Sequence, residues 1–104
     1  MTRRNLSQEV YDLISKVPSG KVTTYGAVAR ELNVPRAPRA VGAILRANPH
    51  PIKVPCHRVI MSNGELGGYG GKNGTERKAE LLKKEGVRVK DGRVNLSLYL
   101  FDGF

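Results

Sequence analysis

Cysteine occurs once in this chain of 104 residues, and tryptophan does not occur at all. One cysteine cannot form an internal disulfide, so the fold has to be stable without one. The N-terminus, Met1-Thr2-Arg3-Arg4, is not followed by the apolar stretch of a secretory signal. These absences favour a reducing intracellular compartment such as the cytoplasm.

Two further scarcities narrow the class of protein. No apolar run approaches the roughly 20 residues that span a bilayer, so we expect no membrane partner. Nine acidic residues stand against eighteen lysines and arginines, and the formal net charge of +9 favours a polyanion such as DNA or RNA. The length allows one small domain, which we expect over residues 1–104 with no separate N-terminal domain.

Three segments in the first half predict amphipathic helices. They run from Leu6 to Val17, from Tyr25 to Leu32 and from Pro38 to Ala47, each with apolar residues at helical spacing. Two short helices joined by a tight turn in a basic chain are typical of a helix-turn-helix. Ordinary helix packing gives the same pattern and stays open as an alternative.

The second half mixes strands with one more helix. The Asn63-Gly64 turn predicts a hairpin that pairs residues 58–61 with residues 65–66. A helix follows over Thr75 to Glu85, and the residues around Asp91-Gly92 are expected to form a closing hairpin or an extended tail. Three apolar residues should face inward from that helix: Ala79, Leu81 and Leu82. The predicted fold class is mainly α with a small β-hairpin (α/β), a winged-helix-like helix-turn-helix DNA-binding domain.

The only cysteine lies in the sequence Pro55-Cys56-His57-Arg58. A lone cysteine is usually a small buried hydrophobe. It becomes a nucleophile as the thiolate, which a nearby imidazole or cation favours, and His57 and Arg58 supply both. Because adjacent side chains diverge, we expect His57 to act through a bridging water or a sharp local turn.

An acid that orients the imidazole would complete a triad. Glu85 is the best candidate, because a carboxylate at the C-terminus of a helix opposes the helix dipole and so indicates a specific partner. An exposed pair with a neighbouring lysine is the alternative from the local sequence.

Metal and phosphate sites find little support. Cys56, His57 and His50 are too few ligands for zinc, and there is no C-x-x-C pair. The glycine-rich residues 67–72 are one residue short of a phosphate-binding loop, and Asn73 replaces the required Ser or Thr. We expect neither a metal site nor nucleotide hydrolysis.

Several segments taken together resemble the O6-alkylguanine-DNA alkyltransferase family. They are Tyr25, Pro38-Arg39-Ala40-Val41-Gly42, Arg46-Ala47-Asn48-Pro49, Val54-Pro55-Cys56-His57-Arg58-Val59-Ile60, Gly67-Gly68-Tyr69 and Leu81-Leu82-Lys83-Lys84-Glu85-Gly86. The match extends from the first helix through Glu85, and the spacing around Pro-Cys-His-Arg-Val is highly specific.

The resemblance implies that the helix-turn-helix binds DNA through the minor groove. Arg39 would insert into the base stack, and Tyr25 would crowd the phosphate of the target nucleotide and favour its rotation out of the duplex. The other residues expected at the DNA are Ala40, Gly42, Ala43 and Arg46.

The resemblance also implies the chemistry. Cys56 would accept the alkyl group from guanine O6 in a single irreversible turnover that needs no cofactor. His57 would take the thiol proton through water, Glu85 would hold His57, and Asn48 would brace the segment before the cysteine. The lesion pocket would be formed by Leu45, Val54, Pro55, Val59, Tyr69 and Gly70, the last standing where the family often has Ser.

The expected partner is double-stranded DNA that contains O6-alkylguanine, bound by a monomer at the nucleoid. The alternative is an alkyltransferase-like sensor, which flips the lesion without repairing it and recruits nucleotide-excision-repair proteins. Those sensors typically carry Trp where this chain has Cys56. A plain DNA-binding module with Cys56 in its core is the third possibility.

Overall fold

The computed structural model describes residues 4–67 and 74–104. Its α-helices are α1 (Leu6–Ile14), α2 (Tyr25–Glu31), α3 (Pro38–Arg46), α4 (Gly74–Lys84) and α5 (Leu96–Tyr99), with a 3-10 turn at Cys56–Arg58. Its strands are β1 (Thr23–Thr24), β2 (Val59–Ile60), β3 (Val89–Lys90) and β4 (Arg93–Val94). None of the helices in these two ranges is both long and apolar enough to cross a membrane.

The first three helices pack around one apolar cluster. The Asn5 side chain caps α1, and the Thr24 hydroxyl caps α2 by accepting from the Ala27 amide at 3.0 Å. The predicted first helix is too long, because α1 already ends at Ile14. Val17 is still fully buried, since its amide donates to the Ile14 carbonyl and turns the chain back onto the core.

A parallel pair of short strands connects the helices to the cysteine segment. β1 pairs with β2, with Thr23 opposite Val59 and Thr24 opposite Ile60. The hairpin predicted for residues 58–66 is therefore wrong as a strand pair. Its turn does form, since the Met61 amide donates to the Glu65 carbonyl. Glu65, however, forms an isolated bridge with Arg93, while β2 pairs with β1, so residues 65 and 66 form no strand against β2.

Of the two alternatives for the residues around Asp91-Gly92, the closing hairpin is the one that forms. β3 and β4 pair antiparallel around Asp91 and Gly92, whose φ angles of 52° and 73° are those of a type I′ turn. The hairpin covers a second apolar cluster that lies between β2 and α4: Val22, Ile60, Leu66, Leu82, Val87 and Val94.

The inward face of α4 differs from the prediction. Leu82 is fully buried as expected, but Lys78 is the other fully buried large side chain, whereas Ala79 and Leu81 are only partly buried. Helical spacing explains this, because Lys78 lies one turn before Leu82 and seven residues before Glu85. The five helices of the described residues, the packed pair α2 and α3 and the small β3–β4 hairpin confirm the predicted architecture, mainly α with a helix-turn-helix and a small β-hairpin.

Candidate active site

Cys56 opens the 3-10 turn and lines a cavity. The turn begins directly after Pro55, and the Cys56 amide donates to the Val54 carbonyl at 2.8 Å. The side chain is 7% exposed, on the wall of a cavity of about 230 Å³. The described residues that share this cavity are Leu45, Arg46, Asn48, Pro51, Ile52 and Arg77. The thiol is thus sheltered yet adjacent to space that a small group can enter.

His57 is fully buried and contacts Glu85. Its Nε2 lies 3.1 Å from Oε2 of the carboxylate, which can only accept, so we assign the ring proton to Nε2. Nδ1 is also buried, and no described residue lies within hydrogen-bond distance of it. Burial lowers the pKa of His57, against the opposing effect of Glu85, so the ring is neutral at neutral pH.

Arg58 holds the same carboxylate from the other side. Its Nε and Nη2 donate to the two oxygens of Glu85 at 2.9 and 2.5 Å, and its Nη1 donates to the Val17 carbonyl at 2.7 Å. Burial opposes ionisation of Glu85, but the hydrogen bonds from Arg58 and then His57 hold its pKa below the usual value. The carboxylate that opposes the α4 dipole is therefore partnered by His57 and Arg58, and not by the lysines beside it.

Asn48 connects the end of α3 to the residues before the cysteine. Its Nδ2 donates to the Val54 carbonyl at 2.9 Å, while its Oδ1 accepts from the His50 amide at 2.9 Å. The side chain thereby fixes both ends of the loop over residues 49–53.

Lys78 and Tyr25 form a second polar group, which the sequence analysis missed. The ammonium donates to the Tyr25 hydroxyl at 3.3 Å and lies 5.5 Å from the ring centre. Burial lowers the pKa of Lys78 to about 8, although the nearby Cys56 favours the charged form. Burial also raises the pKa of Tyr25, so its hydroxyl stays protonated at neutral pH.

The outer face of α3 carries small and basic residues. Val41 and Leu45 are buried, whereas the exposed residues are Arg39, Ala40, Ala43 and Arg46. Arg39, Gly42 and Arg46 line a cavity of about 470 Å³ together with Tyr25, Pro38, Met61 and Gly67. Five of the six residues predicted to contact DNA therefore lie on one helix, and the sixth, Tyr25, lies across the cavity from it.

The residues predicted for the lesion pocket divide into three groups. Leu45 lines the Cys56 cavity. Val54 and Pro55 precede the cysteine, and Val59 is fully buried in the core. None of these three is among the described residues that line the cavity. Tyr69 and Gly70 lie outside the described residues.

Sequence reasoning assigned no site role to six described residues that line the two cavities: Pro38, Pro51, Ile52, Met61, Gly67 and Arg77. Arg77 directly precedes the buried Lys78 on α4, and Met61 directly follows β2. The positions of these residues depend on how distant segments meet, which the local sequence does not show. The one signal on this helix is the helical spacing of residues 78, 82 and 85, which places Lys78 on the buried face.

Comparison with known proteins gives the family. The family model described as 6-O-methylguanine DNA methyltransferase, DNA binding domain, matches residues 5–87. A methylated-DNA–protein-cysteine methyltransferase of Salmonella typhimurium is 51% identical over 79 residues, which are 76% of this chain and 45% of that protein. The chain spans between a third and about half of the length of such curated relatives.

Two solved structures are similar along most of the chain. S. pombe Atl1, in complex with damaged DNA containing O6-carboxymethylguanine, has a TM-score of 0.85 and 33% identity, covering 98% of this chain and 99% of Atl1. Mycobacterium tuberculosis OGT in complex with DNA has a TM-score of 0.74 and 40% identity, covering 82% of this chain and 51% of that one. On the family match over residues 5–87 and these likenesses, the chain belongs to the O6-methylguanine-DNA methyltransferase family of alkyltransferases.

Proposed function

We propose that the chain repairs DNA by accepting the alkyl group of O6-alkylguanine onto Cys56, once and irreversibly. One observation carries this proposal: a thiol on a cavity wall is followed by a buried imidazole whose far nitrogen contacts a carboxylate. A cysteine that only packs in a core needs neither the cavity nor the paired histidine.

Glu85 and Arg58 prepare the base. Because the proton of His57 lies on Nε2 and points at Glu85, Nδ1 carries the free lone pair. The lowered pKa of His57 keeps the ring neutral and able to accept a proton at neutral pH. We infer that Nδ1 takes the proton of the Cys56 thiol through a bridging water, and that Glu85 stabilises the imidazolium that results.

The transfer step is a displacement at carbon. The Cys56 thiolate attacks the alkyl carbon in line with the bond to O6, so that the S–C bond forms as the C–O6 bond breaks. The electron pair stays on the guanine, which takes up a proton at N1 and returns to the normal base. The product on Cys56 is a thioether, which no neighbouring side chain can cleave, so each molecule acts once.

DNA binding is assigned to the exposed face of α3. Ala40 and Ala43 allow the helix backbone to approach the minor groove, while Arg39 enters the stack and Arg46 contacts phosphate. Tyr25 lies across the cavity from these residues and favours rotation of the target nucleotide toward Cys56. The unusual density of basic side chains supplies the attraction to the backbone.

The second candidate is a lesion sensor that flips the base and recruits excision repair. It is favoured by the near end-to-end likeness to S. pombe Atl1, which covers 98% of this chain. In that function Cys56 would lie beside the lesion without reacting.

A stoichiometric incubation separates the two functions. The protein is mixed with duplex DNA that carries one O6-methylguanine, and the recovered strand is digested to nucleosides. We expect one lesion restored to guanine per protein molecule, and none with a Cys56→Ala variant. Tight binding of the lesion duplex with no restored guanine would replace transfer by the sensor function, and equal affinity for damaged and undamaged duplex would reject both.

A further inference from the structure

Ile52 has an unusual backbone conformation for its residue type. Its φ angle is 75°, in the left-handed region, where a β-branched side chain collides with its own backbone. It follows Pro51 within a five-residue turn, which is closed by the hydrogen bond from the Val54 amide to the His50 carbonyl. Gly or Asn is the preferred residue where a turn requires a positive φ. Isoleucine is therefore an unfavourable choice at this point of the chain.

The surrounding loop enforces that conformation. The Val54 amide donates to the His50 carbonyl at 2.9 Å, and Asn48 holds Val54 and His50 from either end. Pro51 and Val54 also form a bridge across the loop. With both ends fixed, Ile52 at the tip cannot relax to a negative φ without breaking these bonds.

Packing within the chain does not compensate for the strain. Ile52 is 49% exposed, one of four large apolar side chains in the described residues that are left on the surface. An asparagine or glycine in its place would cost less in backbone strain and in exposed apolar area. Strained residues of this kind concentrate at binding sites, where the strain positions a contact.

The position of Ile52 identifies that contact. It lines the same cavity as Cys56, together with Leu45 and Pro51. Any alkyl group attacked by the Cys56 sulfur has to project into this space. We propose that Ile52 is a specificity-determining residue, an apolar wall that favours guanines with alkyl groups larger than methyl. This inference rests on the proposed function, because it takes the cavity to be the place of the lesion.

The test measures binding in a Cys56→Ala background, where no transfer can occur. Duplexes with O6-benzylguanine and with O6-methylguanine are compared for Ile52 and for Ile52→Asn. We expect the substitution to reduce the preference for the benzyl over the methyl duplex by about tenfold. A change of this size corresponds to the loss of roughly half of the apolar contact that one isoleucine side chain can make. Ile52→Leu, which keeps the apolar surface, should retain the preference.

A stability readout tests the strain separately. Because Asn tolerates the left-handed region, Ile52→Asn should raise the Tm by a few degrees, whereas the control Leu98→Asn, at a residue that is 62% exposed, should not. Equal losses for both duplexes, no change in either, or a lowered Tm for Ile52→Asn would overturn the proposal. If the protein with Cys56 takes up no alkyl group but the benzyl-over-methyl preference depends on Ile52, the proposed alkyl transfer is rejected and the role of Ile52 is kept.

Discussion

The carboxylate of Glu85 lies 3.1 Å from Nε2 of His57, although 28 positions separate the two residues in the chain. The contact fixes which ring nitrogen is protonated, and therefore which one is free to act as a base. Replacing the acceptor by an amide that can donate removes this preference while leaving the shape of the site almost unchanged.

We predict that Glu85→Gln lowers the rate of alkyl transfer by about 100-fold or more, as expected when a general base loses its orientation. Lesion binding should change little, because Glu85 is absent from both cavity walls. Single-turnover kinetics and equilibrium binding measure the two separately. Glu80→Gln, at an exposed position on the same helix, is the control, and a normal rate for Glu85→Gln would show that His57 needs no orienting carboxylate.

The pH dependence of transfer should reflect His57. Because the folded pKa of His57 is lowered below the usual 6.5, most of the rings are neutral at pH 6.5, and the midpoint of the fall in rate should lie at more acidic pH. The unfolded chain binds this proton more readily, so stability should also fall as the pH drops below about 6.5. A rate profile from pH 5 to 8 checks the first point, with His50→Gln as the control. A midpoint above 6.5 would contradict the assignment.

The buried Lys78 should also make the stability of the protein rise with pH, as His57 does. Its folded pKa of about 8 lies well below the usual lysine value of 10.5, so the unfolded chain holds more protons between these values and stability rises with pH across this range. Relative to Lys78→Met, the free energy of unfolding should rise by about 2–3 kcal/mol between pH 7 and 10.

Urea unfolding at several pH values measures this difference. The variants are compared in a Cys56→Ala background, which removes the titration of the thiol, and Lys83→Met is the exposed control on the same helix. If the free energy of unfolding varies with pH in the same way for Lys78 and for Lys78→Met, burial does not lower the pKa of the Lys78 ammonium.

Arg39→Ala should weaken binding to lesion DNA more than binding to undamaged DNA. An arginine that fills the space of the flipped base acts only once flipping has occurred, whereas phosphate contacts elsewhere on the basic surface are kept. We expect a loss of roughly tenfold, or more, in the ratio of the two affinities, measured at one fixed salt concentration. Lys16→Ala is the matched control after α1, and equal losses on both DNAs would make Arg39 a phosphate contact.

Local sequence signals predicted the elements that depend on local chemistry. Pro38 and Asn48-Pro49 bound α3 to within one or two residues, and Asp91-Gly92 located the second hairpin. The charge of Glu85 opposes the helix dipole, and this local signal is enough to indicate a specific partner.

Features that require distant segments to meet escaped prediction. The pairing of β1 with β2 joins residues 36 positions apart, and it displaced a hairpin that the Asn63-Gly64 turn favoured locally. The charge of Lys78 gives no sign in the sequence that its side chain is buried, yet its helical position places it against Tyr25. The strained φ of Ile52 has no signal in the sequence beyond the preceding proline.

The Cys56 sulfur is the proposed acceptor of the alkyl group. The most direct measurement is the mass of the intact protein after incubation with duplex DNA containing O6-methylguanine, followed by peptide mapping. We expect one added methyl group, located on Cys56 and absent in Cys56→Ala. An unchanged mass for a protein that binds the lesion duplex tightly, or a methyl group on another residue, would contradict it.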